Sequence, residues 1–331
     1  GIMLLAICIR LYTRSSTILK YMLLAMGSAA CLLTVCFCES VIAQPPLQQP
    51  PAHGRILIIN SYHPGYPWSD DETEGIRQGL LESFSDDLMI EYLDCKHFPD
   101  NALSDAIRQA VSLKYGRTRL ALIITADNPA LNFVLRYRSG LFPGVPVVFC
   151  GINGYKPAML AGQENITGAV ETLDIGGTVQ AMLGIHPEAR MLFLVHDYTV
   201  TGFASRDEAQ EQLSEAAKSV QIRYSENVGI QELLDQVKVL PHNALILILS
   251  YSRDRDGKVF NHQEVAALFS DSAPVPVYGV HELRLGSGIV GGSLLSGKLH
   301  GATAARIAAQ VLSGRSAENI PVDARPSAQY M

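Results

Sequence analysis

From residue 55 onward the chain alternates short apolar, β-branched runs with amphipathic stretches, and no other feature restricts its fold as much. Strand-like runs fall at Ile56–Asn60, Leu88–Leu93, Leu120–Thr125, Val145–Cys150, Gly168–Glu171, Met191–Val195, Val220–Tyr224, Ala244–Leu249, Val275–Val280 and Gly288–Gly292. Helical patterns lie between or after them at Asp70–Ser83, Leu103–Tyr115, Pro129–Arg136, Gly177–Leu183, Ser205–Ser219, Ile230–Val239, Asn261–Phe269 and Gly297–Leu312. Such alternation predicts an α/β fold of parallel sheets with helices on both faces. So many strands exceed one comfortable sheet, which predicts two similar lobes. The break is expected at 162–168, where a Gly- and Asn-containing loop leads into a new strand.

Ahead of this region lies an export segment. Residues 1–20 carry Arg10, Arg14 and Lys20 and no acid; Tyr21 to Cys38 is almost uninterrupted apolar sequence; Val41 and Ala43 then place small residues before Gln44. That is the layout of a basic n-region, an h-region and a cleavage site. The apolar run is also about long enough to span a bilayer, so residues 1–43 read as either a signal peptide or a retained membrane anchor. In both cases the basic flank stays inside and everything after Gln44 is periplasmic or otherwise extracytoplasmic. Residues 44–54, rich in Pro and Gln, read as a linker.

The chain carries 26 basic and 32 acidic residues for a net charge of −6. The leader holds three of the basic residues and a single acid, Glu39, so the exported part is more acidic still. With no basic stripe, nucleic acid is excluded as a partner class. Of six cysteines, four lie in the leader. Cys95 and Cys150 each close an apolar strand and read as free, largely buried thiols, too few for a disulfide framework or a metal cluster.

In open α/β sheets ligands bind beyond the carboxyl ends of strands, and several such ends are polar here. The first runs into Ser61, Tyr62, His63, Pro64, Gly65, Tyr66, Pro67 and Trp68, a Pro-rigid aromatic loop with the only tryptophan of the chain. The third ends at Asp127 and Asn128, one or the other of which is expected to cap the helix that Pro129 opens. The fourth ends in Gly151 and Asn153. In the second half, Thr201 and Gly202 are expected to offer helix-starting amides to a carboxylate or phosphate, Tyr251 and Arg253 follow a very apolar strand, and His281 and Glu282 close the set. Ligand contacts are therefore expected from Tyr62, His63, Trp68, Asp127, Asn128, Asn153, Thr201, Gly202, Tyr251, Arg253, His281 and Glu282, with Arg253 as a forked donor to any carboxylate.

Three patterns fail on context. Gly286 to Gly291 spells a dinucleotide-binding glycine pattern but opens no helix. Ser252 to Gln263 resembles a calcium loop, yet its first and twelfth positions lack the needed ligands and a plain Asp-Gly turn is expected. The nine histidines show no metal-ligand spacing. No cofactor is implied, and no nucleophile–base constellation points to an enzyme.

The chain resembles the periplasmic-binding-protein type I superfamily, in its ABC-transporter substrate-binding-protein-like branch. The resemblance runs from Ile56 to about Pro321. It is carried by Asn60–Trp68, Pro146–Asn153, Asn165–Gly168, Ser252–Gly257 and Gly288–Gly292, and by the late helix with Gly301, Ala304 and Ala305 followed by Gly314 and Pro321. The aromatic loop and the Arg-Asp-Arg-Asp-Gly turn resemble extracytoplasmic sensor domains of bacterial histidine kinases and diguanylate cyclases. The resemblance implies two Rossmann-like lobes, 55–167 plus 286–318 and 168–285 plus 319–331, joined by three crossings near Thr167–Val170, after Leu285 and near Ile320. It implies a small organic ligand in the cleft, with aromatic and amide groups suiting an amino-acid-like molecule. The partner is then a downstream signalling module or, in the alternative, the permease of an ABC importer. No second apolar span or output module appears before Met331.

Overall fold

A computed structural model describes residues 54–84, 88–98, 104–215 and 218–331. The leader and nearly all of the linker lie outside them. Every expected strand but the last forms. The first sheet contains β1 (Arg55–Asn60), β2 (Leu88–Tyr92), β3 (Leu120–Ala126), β4 (Val147–Ile152) and β5 (Ile166–Val170), all parallel, in the order β2-β1-β3-β4-β5. The second contains β6 (Met191–Val195), β7 (Gln221–Tyr224), β8 (Ala244–Ile248) and β9 (Val277–Gly279), parallel in the order β7-β6-β8-β9. Eight α-helices are described: α1 (Pro67–Phe84), α2 (Ser104–Tyr115), α3 (Asp127–Leu141), α4 (Ile175–Ile185), α5 (Val200–Gln212), α6 (Ile230–Lys238), α7 (His262–Ser272) and α8 (Gly297–Leu312). Among the described residues no helix is long and apolar enough to cross a membrane.

Each sheet is covered on both faces, which explains why its central strands are buried almost end to end. Ile56 and Ile58 pack with Ile76 of α1 and Ala304, Ala305 and Ile307 of α8. Leu57 and Ile59 face Leu131 and Val134 of α3 on the other side. In the second lobe Leu192 and Leu194 meet α4 and α5, while Phe193 and Val195 meet Leu233 of α6 and Phe269 of α7. The alternation of side chains along a strand divides each lobe's core in this way.

The crossings depart from the expected boundaries. The strand expected to open the second lobe is β5, hydrogen-bonded to β4, so the first crossing is the segment 171–174. Gly288–Gly292, expected as a strand of the first lobe, stays with the second: Val290 N donates to Val277 O and Gly279 N to Gly291 O. It is irregular because Gly288, Gly291 and Gly292 have φ of 104°, 153° and 154°, and a side chain on Gly292 would collide with the carbonyl of Gly279. The strand there is β10 (Ser293–Leu295), antiparallel to β11 (Ala328–Tyr330). The chain recrosses at Ser296, which caps α8 through its hydroxyl. Asp323 then runs beside β5 in the first lobe, so 319–323 also stays with the first lobe and the third crossing is 324–327. Two crossings touch, Ser296 N donating to Ser327 O at 3.0 Å.

Cys95 and Cys150 are free. The Asp-Gly turn forms as read: Asp254 Oδ1 accepts from the amides of Asp256 and Lys258, and Gly257 has φ 84°.

Candidate functional site

The carboxyl ends of both sheets enclose a cavity of about 80 Å³. A larger hollow of about 610 Å³ lies between Arg306 and Arg325, but it is away from the strand ends, and the Arg306 and Arg325 guanidiniums in it are already paired with Asp323. Of the expected contacts, Tyr62, Trp68, Asp127, Asn153, Thr201, Tyr251 and His281 line the cavity, joined by Tyr66, Lys96, Glu171, Ser250, Ser252 and His262.

The first-lobe wall is aromatic and acidic. Helix α1 starts at Pro67, three residues earlier than expected, which puts Trp68 in its first turn and buries it at 7% exposure. Its indole packs into the second lobe's apolar cluster, and Trp68 Nε1 donates to Asp127 Oδ1 at 3.1 Å. Tyr62 and Tyr66 meet edge to face at 5.1 Å, and Lys96 Nζ lies 4.5 Å and 5.1 Å from their ring centres, within cation–π range. Desolvation lowers the Lys96 ammonium pKa, with Asp127 and Asp197 opposing.

Three carboxyls converge behind these rings. Glu72 comes from α1, Asp127 from the start of α3, and Glu171 from just after β5. Burial pushes Asp127 up to about 7, against the opposing Trp68 N–H, Lys96 and Glu72. Burial and then the Asp127 charge push Glu171 up to about 8, although Asn153 Nδ2 donates to it at 2.9 Å. Glu72, buried beside Asp127 and the Cys150 thiol, is driven well above the carboxylate range by desolvation first and Asp127 next. Like charges this close in low dielectric cannot all ionise, so the cluster retains protons near neutral pH.

Asp127 is free to face the cavity because another residue caps α3. Ser61 Oγ accepts from Ala130 N at 2.8 Å and donates to Ala126 O at 2.6 Å. The expected capping role of Asp127 and Asn128 is thus corrected: Asp127 sits at φ 69°, a left-handed conformation rare outside glycine. Asn128 clamps the backbone of Asn153 through both of its amide atoms. Asn128 therefore holds a cavity residue in place and does not line the cavity.

The second-lobe wall differs in charge. Asp197 is saturated, accepting from Thr199 N and Oγ1, Ser252 N and Oγ, and Arg253 N, which ties the loops after β6 and β8 together. Gly202 does not offer its amide, because Thr199 Oγ1 already accepts from it as the α5 cap. Arg253 is exposed and lies outside the lining; half-buried His63 and Glu282 and buried Gly202 do not line it either. The cation at this wall is Arg284, which sequence reading missed. It is fully buried, and among the described residues no carboxylate lies within ion-pair distance of it. Arg284 Nη1 donates to Ile248 O and to His281 Nδ1 at 2.9 Å; Nε and Nη2 have no partner. Burial lowers the guanidinium to about 9, with Asp197 opposing. Because His281 Nδ1 accepts, its proton sits on Nε2. Burial holds His281 well below the usual imidazole range and His262 at about 3, so both rings are neutral. Asp127 is marked by its strand end, but Glu171 is not, and the only local cue to Arg284 is its place three residues after a cavity histidine.

No protein-family model and no curated protein matches the sequence. Solved structures do match the fold. The ligand-free, open structure of a substrate-binding protein with adhesive properties from Clostridium difficile superimposes with a TM-score of 0.63 at 14% identity, over 84% of this chain and 91% of that one. A conserved domain protein from Vibrio cholerae gives 0.59 at 14% over 84% and 90%. An ABC domain in complex with L-Trp from Streptococcus pneumonia gives 0.56 at 14% over 83% and 91%. The chain has the two-lobed fold of periplasmic-binding-protein type I proteins.

Proposed function

We propose that this chain is an extracytoplasmic binding domain that closes on a small zwitterionic ligand of the amino-acid class. The observation that carries the reading is the opposition of the two walls. Three carboxyls and three aromatic rings on one lobe suit a protonated amine; a buried, carboxylate-free guanidinium relayed through the His281 Nε2–H on the other suits an acid group. The L-Trp complex among the fold neighbours supports the same class. The cavity is smaller than the roughly 300 Å³ of ordinary ligand sites, so entry requires the lobes to part and binding to close them again. A binding role suits these groups better than catalysis, since the Ser252 hydroxyl is spent on Asp197.

A thermal-shift panel of amino acids, purines and organic acids, followed by calorimetry, tests this. An α-amino acid should stabilise the protein, and analogues lacking either the amine or the carboxylate should bind at least about tenfold more weakly. Equal affinity for an analogue removes the corresponding wall from the reading; no response to any amino acid removes the ligand class.

We read the domain as the sensor part of a membrane-bound signalling receptor, on the aromatic loop and the Arg-Asp-Arg-Asp-Gly turn. Delivery to an ABC importer is the alternative, favoured by the substrate-binding protein among the fold neighbours. Coding sequence beyond Met331 discriminates: a second apolar span and a kinase or cyclase means sensor, and a stop beside permease genes means importer.

A further inference from the structure

Backbone bonds zip the loop after β1 to the turn after β2. Leu93 N donates to Asn60 O at 2.9 Å, Cys95 N to Ser61 O at 2.9 Å and Asp94 N to Tyr62 O at 3.4 Å. This sets His63 beside Asp94. The turn then winds once, Phe98 N donating to Asp94 O at 3.0 Å, and brings His97 back over the same carboxylate. One donor atom each from His63, Asp94 and His97 falls within 4.8 Å of the others. Both Nδ1 atoms face Asp94 Oδ1, at 2.7 Å for His97 and 3.3 Å for His63, and the rings lie 4.2 Å apart at 30°.

Hydrogen bonding leaves this arrangement incomplete. His97 bonds Asp94, but the His63 Nδ1 is buried and makes no hydrogen bond, which costs free energy unless something satisfies it. Asp94 is held at φ 53°, a strained position of the sort found at ligand clamps. Metal–ligand bonds of about 2.0–2.1 Å at tetrahedral angles need donors roughly 3.3 Å apart; His63 Nδ1 stands at that distance from Asp94 Oδ1 and His97 Nδ1 0.6 Å closer. Two imidazoles and one carboxylate suit a borderline divalent ion such as zinc or copper, whereas calcium and magnesium want oxygen alone. The spacing of histidines along the chain does not show the site, because its donors come from two loops.

We propose that His63, Asp94 and His97 bind a divalent transition-metal ion of the zinc class at the first-lobe rim of the cleft, with a fourth position open. The ion would cross-link the loop bearing Tyr62 and Tyr66 to the turn bearing Lys96, and so fix the aromatic wall; the His63 ring is already 5.8 Å from that of Tyr66. The proposal does not depend on the identity of the organic ligand.

Calorimetric titration of the untagged full chain with Zn²⁺ should show one equivalent bound, and Co²⁺ should give the visible absorption of a tetrahedral site. His97→Ala removes an exposed ligand without touching the core, and Asp94→Asn keeps a residue tolerant of positive φ. Each should weaken Zn²⁺ binding at least about tenfold, and His63→Ala combined with His97→Ala should abolish it, while His186→Ala leaves it unchanged. Absence of binding to the native chain overturns the proposal, as does undiminished binding by the double variant.

Discussion

Trp68 and Asp127 share one hydrogen bond, and the carboxyl partner titrates near neutrality. As pH rises through about 7, Asp127 gains a charge against the indole N–H, so the emission of the single tryptophan should shift with a midpoint near that pH. Asp127→Asn should remove the transition, and an unchanged profile in that variant would assign it to another group. Arg284 offers a second test at this scale. A buried charge with no carboxylate partner is expensive to hold, and replacing it by an apolar group of similar volume removes that desolvation cost. Arg284→Met should therefore melt no lower than the native protein yet bind the proposed zwitterion at least about tenfold more weakly. A lower melting point with intact affinity would make Arg284 a fold residue only. Trp68, by contrast, was expected as a ligand contact alone; burial in the second lobe's core gives it a packing role as well, so its removal will not separate binding from stability.

At the level of elements, α1 and α8 pack backbone to backbone over the first sheet. A methyl on Gly75 would collide with the Lys298 carbonyl, one on Gly301 with the Glu72 carbonyl, and one on Gly79 with the Ala305 methyl. Overpacking of this kind costs about 1–3 kcal/mol, so Gly75→Ala should lower denaturant stability by that amount, and a neutral result would mean the helices can separate freely. The variant should also disturb the site, because Glu72 lies on the contacting face. Legibility in the sequence follows the same physics. The β–α order was readable because continuous apolar runs such as Ala244–Ile248 are too short for buried helices and sit between amphipathic stretches, the pattern of buried strands. The last strand was misread because Gly288–Gly292 holds an extended path through glycine φ angles that no side-chain pattern records. Strand ends named Tyr62, Asp127, Asn153, Tyr251 and His281 as cavity candidates. The pattern could not name Ser61 as the cap of α3, or Glu72 and Arg284 as charges behind the walls, since each acts through a contact distant in sequence.

The whole molecule carries two opposed sets of titrating groups, and their windows overlap only in part. His262 at about 3 and His300 at about 4, both lowered by burial, remain neutral when folded but would charge when unfolded below the ordinary imidazole range. They therefore take stability away as pH falls from about 6.5. Asp127 at about 7, Glu171 at about 8 and Glu208 at about 7 hold protons more tightly folded than unfolded, so stability falls as pH rises from the carboxylate range through those values. Between pH 6.5 and 8 the carboxyls act alone. The unliganded protein should lose stability across that interval, by up to about 1.4 kcal/mol per pH unit for each proton retained. A bound ammonium inverts the balance by pairing with the ionised carboxylates, so ligand-induced stabilisation should grow from pH 6.5 to 8 and binding should release protons into the buffer. Melting temperatures with and without ligand across the interval, and calorimetry in buffers of different ionisation heat, measure both effects. Asp127→Asn with Glu171→Gln should flatten the unliganded slope. A melting temperature that rises with pH over this range in the native protein would show that the acid cluster is already ionised and unstrained.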